Sequence, residues 1–173
     1  MTATQYALFD TSLGTCAIAW GGRGIVRTFL PEPSAEAVRA RLLRRVPDAS
    51  EAEPPDDVRR AIAEITRLFA GEPVDLTWVS LDDEALPELH RRVYAATREI
   101  PPGSTRTYGE IARRLGDAAL ARTVGEALGR NPFPIVVPCH RVLAAGGRTG
   151  GFSARGGTAT KMQLLRIEGA VLL

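Results

Sequence analysis

Thr107-Tyr-Gly-Glu-Ile-Ala-Arg-Arg-Leu-Gly-Asp-Ala-Ala-Leu-Ala-Arg-Thr-Val-Gly-Glu-Ala-Leu128 is the stretch that decides the fold of the second half of the chain. Thr107 followed three residues later by Glu110 is a capping-box pattern, which opens a helix by satisfying its first backbone N–H groups reciprocally. Ile111, Ala112 and Leu115 follow at helical spacing, and Gly116 breaks the run. Asp117 caps the next helix, in which Ala121, Val124 and Leu128 share a face. Short helices joined by a tight Gly-Asp turn make a helix-turn-helix pattern. Arg122 lies one position off the apolar face and is free to project outward, with Arg113, Arg114 and Arg130 adding to a basic surface.

Downstream stands Asn131-Pro-Phe-Pro-Ile-Val-Val-Pro-Cys-His-Arg-Val142. Ile135 to Val137 are β-branched and bounded by prolines, so they read as a short buried strand that delivers Cys139 where backbone regularity stops. A thiol needs help to ionise near neutral pH, and imidazole or guanidinium neighbours lower its pKa. The plainer alternative is a buried packing cysteine. Leu143 to Ser153 reads as extended segments around a Gly-Gly turn, a hairpin placed to serve as a wing.

Outward from this module, Ile100-Pro-Pro-Gly103 ends a helix predicted over 84–98, and a small α/β unit of 1–85 precedes it. Its strand candidates are Tyr6–Phe9, Thr15–Trp20, Ile25–Leu30 and Val74–Leu81. Its helices run from a Ser34 cap to about Val46 and from Val58 to Ala70, with a proline- and acid-rich loop over 47–57. Cys16 falls inside a strand pattern and reads as packing; His90 reads as structural or surface.

Charge divides with the domains. Residues 1–85 hold 9 Arg against 14 acids, and residues 86–173 hold 12 Arg and the lone Lys161 against 6 acids, so −5 and +7 give the net +2. A basic second half suits a polyanionic partner; an arginine-rich solvated surface is the alternative. The scarcity of lysine reads as compositional bias. No apolar run approaches the roughly 18 residues of a membrane span. The start of the chain lacks a basic segment followed by an apolar one, so no secretory signal is expected. With no disulfide framework either, a cytoplasmic, reducing location is expected.

Pro138-Cys-His-Arg-Val142, with Thr107-Tyr-Gly-Glu-Ile-Ala112, Ala121-Arg-Thr-Val-Gly125, Asn131-Pro, Gly151-Phe-Ser153 and Leu164-Leu-Arg-Ile-Glu-Gly169, resembles the O6-alkylguanine-DNA alkyltransferases in motif and order. The resemblance implies an α/β two-domain protein: an N-terminal ribonuclease-H-like α/β domain (1–85) and a C-terminal winged helix-turn-helix domain (86–173). It implies a DNA repair protein, a monomer without cofactor, acting on double-stranded DNA that carries O6-alkylguanine. The alkyl group would pass to Cys139 in one irreversible turnover.

The same resemblance assigns roles. Cys139, His140 and Glu168 would form a relay through a water, with Tyr108 assisting base flipping and donating a proton to guanine N3. Arg122 would intercalate in place of the flipped base, with Thr123 and Gly125 beside it on the DNA-binding helix. Asn131 would hold the turn before the active cysteine. The backbone of Cys139, Val142 and Ser153 would bond the guanine, with Phe152, often tyrosine in the family, against its ring. Arg141 receives no step. Cys16 and His90, all that remain beyond the catalytic pair, do not make a zinc site, so no metal is expected. The alternatives are a sensor that binds alkylated DNA without transfer, a turning-over Cys-His-Glu hydrolase, and a winged-helix transcription factor.

Overall fold

The computed structural model describes residues 3–148, 150–152, 154 and 156–170. The chain divides into two compact units: Met1–Glu84 with Pro132–Pro134, and Ala85–Asn131 with Ile135–Leu173. It is a mixed α/β protein. Among the described residues no helix is long and apolar enough to cross a membrane.

In the first unit, β1 (Gln5–Thr11), β2 (Gly14–Gly21) and β3 (Gly24–Phe29) form an antiparallel meander, with Phe9 opposite Cys16 and Ala17 opposite Phe29. Side chains alternate between faces along a strand. Ala17 and Ala19 therefore share a face with Tyr6 and Phe29, and α1 (Ala35–Arg45) buries Val38 and Leu42 in that cluster. Ser34 caps α1, its hydroxyl accepting from the Ala37 N–H at 3.1 Å. Cys16, Ile18 and Trp20 occupy the opposite face and are buried as well. Burial pushes the Cys16 thiol up to about 12, so it is chemically quiet.

The expected loop over 47–57 contains β4 (Ser50–Glu51), which pairs parallel with β1 to give the order β3-β2-β1-β4. Then α2 (Asp56–Phe69) turns Val58, Ala61, Ile65 and Leu68 inward. The strand expected over 74–81 does not form. Asp75 accepts the Thr77 N–H at 2.9 Å, an Asx turn that bends the segment, and only Leu81 makes a single parallel bridge to Ile25. That bridge requires Gly24: its φ is +129°, and a Cβ there would meet the Ser80 carbonyl oxygen at 2.5 Å.

The second unit begins with α3 (Glu88–Arg98), later than expected because Pro87, with φ fixed at −55°, sits at its N-cap. β5 (Arg106–Thr107) leads into α4 (Tyr108–Arg114). The predicted capping box is present: Thr107 Oγ1 accepts from the Glu110 N–H at 3.0 Å, and Glu110 Oε1 accepts from the Thr107 N–H at 3.3 Å. Gly116 turns the chain at φ +102°. Asp117 caps a short 3-10 turn, Ala118–Leu120, which continues into α5 (Ala121–Gly129). α5 buries Val124, Ala127 and Leu128, and the Tyr94 hydroxyl of α3 donates to the Ala127 carbonyl at 2.7 Å. β6 (Val142–Leu143) pairs parallel with β5, and α6 (Gly157–Ile167) closes the unit.

One expectation for this unit fails. Ile135 to Val137 are buried but form a turn, because Ile135 takes a left-handed backbone at φ +79° that no strand accommodates. The wing hairpin expected over Leu143–Ser153 includes residues 149 and 153, which lie outside the described residues. After β6, Ala145–Gly147 make a 3-10 turn, and one backbone hydrogen bond, Ala144 N–H to the Arg148 carbonyl at 2.9 Å, closes that loop.

Candidate active site

The turn preceding Cys139 is held from inside. The Asn131 side-chain amide donates to the Val137 carbonyl at 2.9 Å, and the Cys139 N–H donates to the same oxygen at 2.7 Å. A β-branched residue at positive φ, as at Ile135, costs on the order of 1–3 kcal/mol and persists only where its surroundings impose it. Here the surroundings are prolines on either side and a buried apolar run. Cys139 then opens a 3-10 turn through Arg141, closed by the Arg141 N–H on the Pro138 carbonyl at 2.9 Å. Cys139 and His140 therefore stand in a tight turn rather than at the end of a strand.

The tight turn sends successive side chains in different directions. Cys139 is half-buried and lines a cavity of about 730 Å³ together with Tyr108, Arg122, Gly125, Gly151 and Phe152. His140, 1% exposed, turns inward, its Nε2 lying 3.0 Å from Glu168 Oε1. Arg141 follows it, Nε donating to Glu168 Oε1 at 2.9 Å and Nη2 to Oε2 at 2.7 Å. Its Nη1 donates to the Ile100 carbonyl at 2.7 Å.

Electrostatics sort these groups. Burial would raise the Glu168 carboxyl, but hydrogen bonds from His140 and Arg141, with the charge of Arg141, hold it down at about 2. Burial lowers the pKa of His140, and Glu168 only partly opposes it. A neutral imidazole facing an ionised carboxylate carries its proton on Nε2. Nδ1 is then the basic atom, and it has no hydrogen-bond partner among the described residues.

The thiol is pushed up by burial; a hydrogen bond from Asn131, the charge of Lys161 and backbone N–H groups pull the other way. The His140 imidazole and the Arg141 guanidinium, the groups the sequence offers to lower the thiol's pKa, are both committed to Glu168, and the cation acting on Cys139 is Lys161.

Of the residues expected from the sequence, Cys139, Tyr108, Arg122, Gly125 and Phe152 meet at the cavity, and His140 meets Glu168 behind it. Thr123 lies on α5 but does not line the cavity. Val142 is fully buried and presents its carbonyl to Lys161 Nζ at 2.7 Å. Asn131 acts on the turn. Ser153 lies outside the described residues. Arg122 projects from α5 with its side chain 93% exposed, its charge only loosely met by Glu126 at 3.8 Å. Arg141, expected from the sequence without a step, holds Glu168; Lys161 was not expected, and its signal was its being the single lysine, which composition alone discounted.

The family model described as 6-O-methylguanine DNA methyltransferase, DNA binding domain, matches residues 88–170. Over 168 residues the chain is 35% identical to the methylated-DNA–protein-cysteine methyltransferase of Methanosarcina acetivorans, covering 95% of this chain and 98% of the relative. The crystal structure of Mycobacterium tuberculosis OGT in complex with DNA is similar at a TM-score of 0.74 and 33% identity, covering 95% of this chain and 92% of that one. The O6-methylguanine-DNA methyltransferase of Pyrococcus kodakaraensis matches at a TM-score of 0.72 and 25% identity, over 96% of this chain and 99% of that one. With the cysteine, its buried histidine–carboxylate pair and the arginine-bearing helix gathered in one unit, the chain belongs to the methylated-DNA–protein-cysteine methyltransferase family.

Proposed function

We propose that this protein repairs DNA by moving the alkyl group of O6-alkylguanine onto Cys139 Sγ, once per molecule. The observation that carries the reading is Cys139 itself: a half-buried thiol on the wall of a cavity shared with Tyr108 and the Arg122 helix. A soft sulfur nucleophile suits in-line displacement at an sp³ carbon. The base must leave the stack to reach it, and Arg122 extends from α5 where it can fill the gap, offsetting part of the few kcal/mol of unstacking.

The thiol proton passes through a water to His140 Nδ1, while Glu168 steadies the imidazolium through Nε2. The S–C bond forms as the C–O6 bond breaks, and Tyr108 supplies the proton that the departing guanine takes at N3. One proton leaves the sulfur and one reaches the base, so the step balances. The thioether has no ready exit, since its sulfur would have to leave as an unactivated thiolate. Thr123 and Gly125 belong to the DNA-contacting helix. Asn131 sets the cysteine turn. The backbone of Cys139, Val142 and Ser153, with the Phe152 ring, receives the guanine.

In this reading the first domain (1–85) is ribonuclease-H-like and the second (86–173) a winged helix-turn-helix. The meander flanked by α1 and α2 supports the former, and the α4–turn–α5 arrangement supports the latter. Incubation with duplex DNA carrying O6-methylguanine should add one methyl group to the Cys139 peptide and none to Cys139→Ala. Tight, lesion-selective binding with the lesion intact would instead make the protein a sensor.

A further inference from the structure

Lysine is among the residues least often fully buried, because its ammonium is costly to remove from water. The sequence has one, Lys161, and it is 1% exposed. It stands in the second turn of α6 and reaches the wall of the Cys139 cavity. Nζ donates to the Val142 carbonyl at 2.7 Å and to the Gly151 carbonyl at 3.3 Å, and lies 5.8 Å from the centre of the Tyr108 ring. An ammonium carries three donors. Among the described residues its partners are neutral oxygens, not a carboxylate.

Among the described residues, the titratable groups facing Lys161 belong to the site. His140, from the cysteine turn, is kept neutral chiefly by burial, to which the charge of Lys161 adds a lesser repulsion. Tyr108, from α4, offers a ring face. Arg141 and Glu168 lie behind His140 and neutralise each other. That leaves the sulfur of Cys139 as the group whose ionised form the ammonium favours, and the attraction acts on both partners. Burial brings Lys161 down to about 8, against which Cys139 holds it up.

We propose that Lys161 is a positioning residue for alkyl transfer: its ammonium stabilises the Cys139 thiolate and ties together the Val142 and Gly151 carbonyls that frame the cavity. In the reading above, Val142 receives the guanine through its backbone and Gly151 precedes Phe152. One side chain thus couples the charge of the nucleophile to the shape of the pocket. An ammonium held by carbonyls keeps its full charge for the sulfur, whereas a carboxylate partner would cancel it. The assignment rests on Cys139 being the alkyl acceptor, but its test does not need DNA.

The experiment is the rate of Cys139 carboxamidomethylation by iodoacetamide as a function of pH, in wild type and Lys161→Met, read by peptide mass. Each pKa unit lost from the stabilisation of a thiolate lowers its population tenfold at a pH below the pKa. The variant should react about tenfold more slowly at pH 7, with its inflection moved to higher pH. An inflection that stays in place overturns the proposal, whether the rate is unchanged or falls equally at every pH.

If Lys161→Met does not fold, wild type alone decides. Its single lysine gives one side-chain resonance, whose titration is followed by NMR before and after carboxamidomethylation of Cys139. Removing the thiolate should lower the lysine midpoint; a midpoint that does not move overturns the proposal. Failure of methyl transfer from DNA, with the iodoacetamide inflection shifted as expected, would count against the repair reading and leave the Lys161–Cys139 coupling standing.

Discussion

Arg141 grips both carboxylate oxygens of Glu168, Nε to Oε1 at 2.9 Å and Nη2 to Oε2 at 2.7 Å, while His140 shares Oε1 at 3.0 Å. One buried anion therefore serves a permanent cation and a neutral imidazole. The guanidinium keeps the carboxylate ionised and in place, and the imidazole is oriented by what remains.

Removing one partner from such a buried pair leaves an uncompensated charge and costs about 3–5 kcal/mol. Arg141→Ala should lower stability by that order in chemical denaturation. Arg141→Lys keeps the charge but loses the bidentate fork and the bond to Ile100, so it should recover only part of the loss.

Stability should fall on acidification in a defined window. Glu168 is held at about 2 in the folded protein against 4.5 as its ordinary value, so its contribution is present above about pH 4.5 and lost as pH drops toward 2. His140 is also depressed; its neutral form is the one the fold accepts, so its contribution is present above the ordinary 6.5 and declines below it. Thermal melts should thus be nearly flat from pH 7 to 7.5 in these groups and fall steadily from 6.5 downward. In Glu168→Gln, the loss below pH 4.5 should be smaller.

Gly150 has φ +69°, and a Cβ there would lie 2.7 Å from the Tyr108 hydroxyl. Gly150→Ala must displace Tyr108 or the loop, and it forces a non-glycine residue into a left-handed conformation costing roughly 1–2 kcal/mol. Alkyl transfer should slow, more for a bulky O6 substituent than for methyl, because the displaced ring moves within the cavity. Equal rates for both substituents in a single-turnover assay would contradict this.

Arg122→Ala removes an exposed side chain whose ion pair with Glu126 is 3.8 Å long. Stability should change by no more than about 0.5 kcal/mol. Single-turnover repair of duplex DNA should fall well beyond any loss with the free alkylated base, and equal losses would contradict a gap-filling role.

The helices were legible because their signals are local. Ser34, Thr107 with Glu110, and Asp117 each announce a helical start with their own hydrogen bonds. The approach to Cys139 was misread because a β-branched run between prolines looks like a strand in composition. Its backbone is decided by Ile135 at positive φ, which is imposed by tertiary packing and leaves no local signature. β4 was invisible for a similar reason: its pairing is made by the backbone of only Ser50 and Glu51. Cys139, Tyr108 and Arg122 were legible through motif resemblance. The partners of Glu168 and the location of Lys161 depend on α6 folding back onto the cysteine turn, contacts between residues 19 and 27 positions apart in the sequence.

Lys161 bears the sole ε-amine of the sequence, and it is shut away from solvent. Acylating reagents such as N-hydroxysuccinimide esters will find no lysine on the surface to label. Slow acylation at Lys161 then becomes a clock for the opening of the cavity wall, and occupancy of the cavity by a base should stop it.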